Sequence, residues 1–390
     1  MSQSWIKAAF YRGGTSKGVF FHARDLPADR DACSRIFLDV IGSPDPNGRQ
    51  LDGMGGGISS LSKAVVIGPP THPDADVDYT FIQLAVDKPV ADWKGNCGNL
   101  SSAVGLFAID EGLIKVRDGA RDGEQLVRIH QVNTRRIIHA RVPVEGGRAA
   151  VAGDYSIAGV AGTGARIRLD FLDPGGAVTG KLLPTGKVHE QIVVPGHATP
   201  FDVSIVDATV PIAYVAAGQV GLTGAETPEA IEAKTGVMAV LDQIRRAAGV
   251  RIGQGATPDA VGLQVPRVAV VAAPVRFTSL DGQTHAADAY DIATRMISME
   301  RAHRAIPGTG GLNLGVAARI EGTIPHALAR AVDAAPSTSG EIRVGNPSGL
   351  VSVGAEVASK NGVWQAGSAV LFRTARRLMQ GEVAVRVGTR

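Results

Sequence analysis

The chain has 390 residues, a formal net charge of +3, 44% apolar but only 5% aromatic residues, and 49 glycines. That apolar share with modest charge excludes a disordered chain, and at roughly 150 residues per domain the length predicts two or three domains. The 40 basic residues are scattered, and pairs such as Arg135-Arg136, Arg245-Arg246 and Arg376-Arg377 form no basic tract interleaved with aromatics, which argues against nucleic-acid binding and leaves a mild attraction for an anionic substrate.

Met1 to Phe10 lacks the apolar core of a signal peptide, and no run reaches the roughly 18 apolar residues that span a bilayer. A cytoplasmic protein without a membrane partner is expected. Arg12-Gly13-Gly14-Thr15-Ser16-Lys17-Gly18 follows. Glycine lets backbone N–H groups approach an anion, and Thr15, Ser16 and Lys17 add donors. A plain turn between strands is the alternative, and the GxxxxGK[ST] spacing of a phosphate loop is absent. Val19–His22 reads as a strand. Cys33, in a charged segment beside Ala32 and Ser34, is read as structural.

Asp52-Gly53-Met54-Gly55-Gly56-Gly57 concentrates glycine at a cost in chain entropy, which predicts close approach to a ligand or a flexible lid. The loop continues through Ser62 to Lys63, directly before the apolar strand Ala64–Ile67. A lysine entering a buried strand is partly desolvated, which lowers its pKa and frees a basic amine. A strand-edge lysine pointing to water fits the same residues equally well.

Thr80–Val86 is the next strand candidate. A helix is predicted over Asn99 to Glu111, with Leu100, Val104 and Phe107 at helical spacing and Gly112 as its stop. Cys97 then lies at the N-terminal turn, where free N–H groups and the helix dipole stabilise a thiolate and can also hold a carboxylate. The flanking Asn96, Gly98 and Asn99 favour that role over a buried small hydrophobe, the usual fate of a free cysteine. The chain's two cysteines, Cys33 and Cys97, make no CxxC and no disulfide framework, which fits a reducing compartment.

His139–Val144 and Gln191–Val194 are strand candidates on either side of the Gly/Pro/Lys stretch Gly180 to Gly186, which predicts two halves, 1–185 and 186–390, with the last strand free to return to the first. Thr227-Pro228-Glu229 reads as an N-cap with proline at the first helical position, leading into a helix that places Ile231, Val237, Val240, Leu241 and Ile244 on one face. Gly253-Gln254-Gly255 runs into Pro258 and is no dinucleotide loop. Arg267–Ala272 is a strand candidate. His303, near Arg301 and Arg304, can hold a carboxylate, although a lone histidine is more often structural. Pro307-Gly308-Thr309-Gly310 opens a helix, Gly311 to Arg319, that is apolar on all sides and therefore buried. Its turn mirrors the Cys97 turn without the thiol, so two equivalent halves are expected, each wrapping strands around one buried helix. Asn346-Pro347-Ser348-Gly349 is a compact turn with a hydroxyl, suited to an anion or simply a loop, and Ala369–Phe372 is the last strand candidate. With no HExxH, EF-hand, P-loop or paired CxxC, a metal or nucleotide cofactor is unsupported.

The strings YRGGTSKGVFF (Tyr11–Phe21), IGSPDP (Ile41–Pro46), LDGMGGG with its following SK (Leu51–Lys63), DVDY (Asp76–Tyr79), VDKPVADWKGNCGNLSSAVG (Val86–Gly105), HRAIPGTGGLNLGVAARIEGTIPH (His303–His326) and GNPSG (Gly345–Gly349) resemble the 2-methylaconitate cis–trans isomerase (PrpF) family. The resemblance covers essentially the whole chain. It implies an α+β fold like that of diaminopimelate epimerase, in which two similar domains each curl a mixed β-barrel around a central helix and the active site lies between them. It also implies a cofactor-independent isomerase whose acid/base pair falls on Lys63 and Cys97. Racemases of that fold use one cysteine per half, and the turn at Gly308-Thr309-Gly310 has none. The implied reaction is allylic proton transfer on a small unsaturated di- or tricarboxylate, the family's members including 2-methylaconitate isomerases, methylitaconate isomerases and 4-oxalomesaconate tautomerases. A same-fold racemase and a non-catalytic carboxylate binder are the lesser readings. Substrate binding is expected of Thr15, Ser16, Lys17, Ser62, Asn96, Gly98 and Asn99 in the first half and of His303, Gly308, Thr309, Gly310, Ser348 and Gly349 in the second. A homodimer is the expected assembly.

Overall fold

Short runs of Val, Ile and Phe, each ended by glycine, proline or aspartate, make this a strand-rich α+β chain. The computed structural model describes residues 3–114, 123–298, 300–330 and 341–386. The chain divides into two units, Met1–Phe171 with Phe372–Arg390, and Leu172–Leu371.

In the first unit β1 (Gln3–Gly13) and β2 (Ser16–His22) form a hairpin, with Gly13 opposite Ser16. The far edge of β1 pairs antiparallel with Ala375–Arg386. β2 runs parallel to β3 (Lys63–Gly68), and β3 antiparallel to β4 (Val77–Leu84). β4 continues to the strands Gly123–Gln131 and Arg136–Glu145. Helix α1 (Arg30–Ile41) covers one side, starting at an Asp29 N-cap and ending at Gly42, whose φ of 80° is left-handed. It buries Cys33, Ile36, Phe37, Val40 and Ile41 against Phe21, Ile82 and Leu84. Cys33 is thus part of a core, its thiol donating to the Pro27 carbonyl at 3.2 Å. Helix α2 (Gly98–Asp110) is buried from Leu100 to Ile109, as a helix apolar on every side must be. Gly105 lets it approach the sheet, since a Cβ there would lie 2.6 Å from Val142 Cγ2.

In the second unit Phe201–Ala208 and Val210–Ala216 form a hairpin about Thr209. Val210–Ala216 runs parallel to Arg267–Ala272, which pairs antiparallel with Ile292–Ser298. Glu341–Asn346, Gly349–Lys360 and Val363–Arg373 complete the set. The single helix expected after Thr227 is two: α3 (Pro228–Ala233), capped by the Thr227 side chain, and α4 (Val237–Arg251). Gly236, at φ 81°, takes the left-handed conformation and breaks the helical path between them. α4 buries Val237, Leu241, Ile244 and Ala248 against Val268 and Val270. Helix α5 (Gly308–Ala317) is the buried one, closed off from solvent from Gly310 to Ala317.

Residues 172–185, expected in the first half, belong to the second unit. Asp207 holds them there: its carboxylate accepts from the Val178 and Thr179 N–H groups at 2.9 and 2.7 Å, and its backbone exchanges bonds with Gly176 and Leu182. Among the described residues no helix is long and apolar enough to cross a membrane.

Candidate active site

Lys63 is the first residue of β3, and its cross-strand partner on β4 is Gln83. Its side chain is buried, 7% exposed, so the outward-pointing alternative does not hold. Nζ donates to Gln83 Oε1 and lies 5.1 Å from the centre of the Phe81 ring. Burial pulls the amine's pKa below the ordinary lysine value, and the neighbouring Cys97 opposes that fall. Lys63 and Cys97 are therefore within electrostatic reach of each other.

Cys97 is the N-cap of α2, and its sulfur accepts the Leu100 N–H at 3.5 Å. Sγ lies 4.0 Å from Ser16 Oγ. The Cys97 carbonyl accepts from Ser101 N, Ser101 Oγ and Tyr79 Oη, which pins the turn from behind. Asn96 brings a buried side-chain oxygen without a hydrogen-bond partner among the described residues.

Gly98 and Asn99 are the first two residues of α2. Asn99 Nδ2 donates to Thr15 Oγ1 at 3.0 Å, and its Oδ1 accepts from Arg373 Nε at 2.9 Å. Arg373 is 8% exposed and meets no carboxylate among the described residues; its other bond goes to the Phe372 carbonyl. Burial pulls its pKa down to about 10, against the opposing pull of Tyr155 and Cys97, so it stays a cation at neutral pH. Gly14 makes room for this pair: a Cβ there would meet Asn99 Oδ1 at 2.4 Å and Arg373 Cδ at 2.9 Å. Because Thr15 Oγ1 accepts from Asn99, its own proton is free for a further acceptor.

The second unit repeats the pattern. Among the described residues no side chain caps α5, which leaves its first N–H groups available. Arg267 Nη1 donates to Thr309 Oγ1, on the helix's second residue, at 3.0 Å, while Arg267 Nε is buried without a partner among the described residues. Each buried helix thus has a half- or fully buried arginine bonded to its second residue, a combination that attracts anions.

The remaining sequence candidates sort by geometry. Thr15, Ser16, Asn96, Gly98 and Asn99 gather around Cys97. Lys17 alternates to the opposite face of β2 from Ser16, with Nζ 5.6 Å from the Phe10 ring centre. Ser62 is buried and committed, its one hydroxyl proton shared between Gln50 Oε1 and the Ile58 carbonyl, each 2.8 Å from Oγ. The glycine loop is packed against its own chain: a Cβ at Gly53 would lie 2.2 Å from Gly42 N, at Gly55 2.2 Å from Gln50 Oε1, and at Gly57 2.3 Å from the Gly48 carbonyl oxygen. In the second unit Gly308, Thr309 and Gly310 form the first turn of α5. Arg301 and Arg304 are taken by Glu232 and Glu229, and the cation beside His303 is Arg267, which with burial lowers the imidazole pKa. Ser348 Oγ donates to the Arg304 carbonyl at 2.6 Å, and Asn346 closes its own turn onto Gly349, so GNPSG braces the segment leading into α5. Gln83, Arg267 and Arg373 were not foreseen; a polar residue amid an apolar strand was the one local signal, and it fits Gln83 and Arg373 alone.

The family described as PrpF protein matches residues 3–386. This chain belongs to that family. It is 41% identical over 389 residues to the 3-methylitaconate isomerase of Eubacterium barkeri, covering 98% of each chain. It is 38% identical to the 2-methyl-aconitate isomerase of Shewanella oneidensis, over 97% of this chain and 96% of that one. With the 4-oxalomesaconate tautomerase of Pseudomonas putida it shares 36% identity over 99% and 97%. A crystal structure of methylitaconate-delta-isomerase superposes with a TM-score of 0.89 at 40% identity, covering 99% of this chain and 96% of that chain. The PrpF-family chain is accordingly an isomerase with that enzyme's fold.

Proposed function

We propose that the chain catalyses allylic proton transfer on a small unsaturated di- or tricarboxylate, with Lys63 as base and Cys97 as the second proton carrier. The observation that supports this reading is a buried amine of lowered pKa within electrostatic reach of a sulfur seated at a helix N-terminus. The neutral amine takes a proton from the carbon next to the C=C. The electron pair moves into the adjoining π-system and reaches a carboxylate as a dienolate. The open N–H groups of α2, the Thr15 hydroxyl and the Arg373 charge stabilise that anion. The Cys97 thiol returns a proton, either to the same carbon after rotation, which isomerises cis to trans, or two carbons away, which moves the double bond. Each turnover leaves an ammonium and a thiolate, and one proton transfer between them resets the pair. The α5 turn, with Thr309 and Arg267, offers the same anion-binding chemistry.

A two-thiol racemase is disfavoured because the only other cysteine, Cys33, sits on the buried face of α1 within a hydrophobic core. Proton NMR in D₂O with 2-methyl-trans-aconitate, methylitaconate and oxalomesaconate tests the reading. Deuterium should enter the vinyl and methyl positions of at least one of them, and Lys63→Met or Cys97→Ser should abolish it. Absence of exchange with all three would leave only a carboxylate binder.

A further inference from the structure

We infer that Gln83 is the positioning residue of the base: its side-chain oxygen fixes where the Lys63 amine sits and sets how tightly that amine holds its proton. The inference rests on Lys63 acting as the base.

Lys63 and Gln83 face each other across the β3–β4 ladder, the geometry in which side chains on paired strands meet most closely. Lys63 Nζ donates to Gln83 Oε1. The other end of the amide is locked, because Nε2 faces the carbonyl oxygens of Ser59 at 3.0 Å, Ser62 at 3.0 Å and Leu84 at 3.2 Å. Turning the amide over would set its NH₂ against the lysine and its oxygen against three carbonyls, so only one orientation is satisfied.

The lock has its own support. Ser62 is tied to Gln50, and Gln50 Oε1 also accepts the Gly57 N–H at 2.8 Å. The tightly packed glycine loop thereby reaches the base through Gln50, Ser62 and Gln83, a use for that loop that needs no ligand or lid.

The choice of a neutral acceptor has a chemical consequence. A carboxylate at the same position would add a full negative charge against the amine and hold the proton on it. An apolar side chain would leave the amine without a partner. Glutamine orders the amine without trapping its proton. The ring of Phe81 is uncharged, and among the described residues the titratable group acting on Lys63 is Cys97.

The pH dependence of kcat/KM for the isomerisation separates positioning from mere packing. The base must be neutral in the free enzyme, so the acidic limb reports the Lys63 pKa. Gln83→Glu should move that limb to higher pH by about one unit or more, as expected for an opposite charge in contact. Gln83→Met, which removes the acceptor that favours the ammonium, should move it to lower pH and reduce kcat more than it changes KM. If Gln83 only fills space, both variants lower activity with the limb unmoved, and that result overturns the proposal. Lys63→Met is the control: an acidic limb surviving in that variant refutes Lys63 as the base, an outcome distinct from a limb that is Lys63-dependent yet insensitive to residue 83.

Discussion

Asn313 sits in the middle of α5 with no exposed surface, and all its polar capacity toward neighbouring strands is used. Nδ2 donates to the Val206 and Val210 carbonyls at 2.9 and 2.7 Å, and Oδ1 accepts from Tyr214 Oη at 2.8 Å. Asn313→Ala therefore orphans two carbonyls and one hydroxyl in a dry interior and leaves a small void. Each buried orphan costs about 1–3 kcal/mol, and because the three share one site the total should be about 3–5 kcal/mol. For a unit of this size that lowers Tm by about 6–20 °C. Tyr214→Phe removes one donor and orphans only Oδ1, for about 1–2 kcal/mol. The double variant should cost less than the sum of the single ones, because it has no hydroxyl left to orphan. Urea unfolding followed by circular dichroism reads all three. A loss below about 1 kcal/mol for Asn313→Ala, or strict additivity in the double variant, would refute the idea that this amide network, and not the apolar packing around it, anchors α5.

Three further outcomes are expected. Arg373→Met should raise KM about tenfold or more at nearly unchanged Tm, and Arg373→Lys should recover little, since a lysine cannot keep both the Asn99 bond and the guanidinium geometry; steady-state kinetics decide, and an unchanged KM in a folded Arg373→Met variant would remove Arg373 from the site. Gly105→Ala should cost about 1–3 kcal/mol by driving a methyl against Val142, and adding Val142→Ala should return part of that loss, as thermal unfolding would show. His303 binds its proton less readily folded than unfolded, because burial and then Arg267 lower its pKa; its contribution to stability is present above the unfolded value of about 6.5 and is lost as pH falls through the lower folded value, and His303→Gln should flatten that part of a Tm-against-pH curve.

Much of the site was legible because its cues are local. Cys97 was marked by asparagine and glycine on both sides and by the apolar spacing that follows, and it proves to be the N-cap of α2. Lys63 was ambiguous because burial of a strand's first residue depends on what lies across from it, and that is Gln83, 20 residues on. α1 was missed although Cys33, Ile36, Phe37, Val40 and Ile41 have helical spacing and Asp29 and Gly42 flank them; the charged residues between masked the stripe. Lys17 was grouped with Thr15 and Ser16 by adjacency, whereas a strand sends neighbours to opposite faces.

The sequence by itself determined the family, from motifs spread along the whole chain, and the two buried helices with their glycine-bearing first turns, because each helix and turn is written in residues within one or two helical turns of one another. The tertiary structure alone decided that the glycine loop packs against its own chain, that Asp207 draws residues 172–185 into the second unit, and that Asn99 meets an arginine 274 positions away. Those contacts join segments whose spacing along the chain carries no periodic signal. The last of them exists because the final strand, Ala375–Arg386, returns to pair with β1 and so brings Arg373 against Gly14.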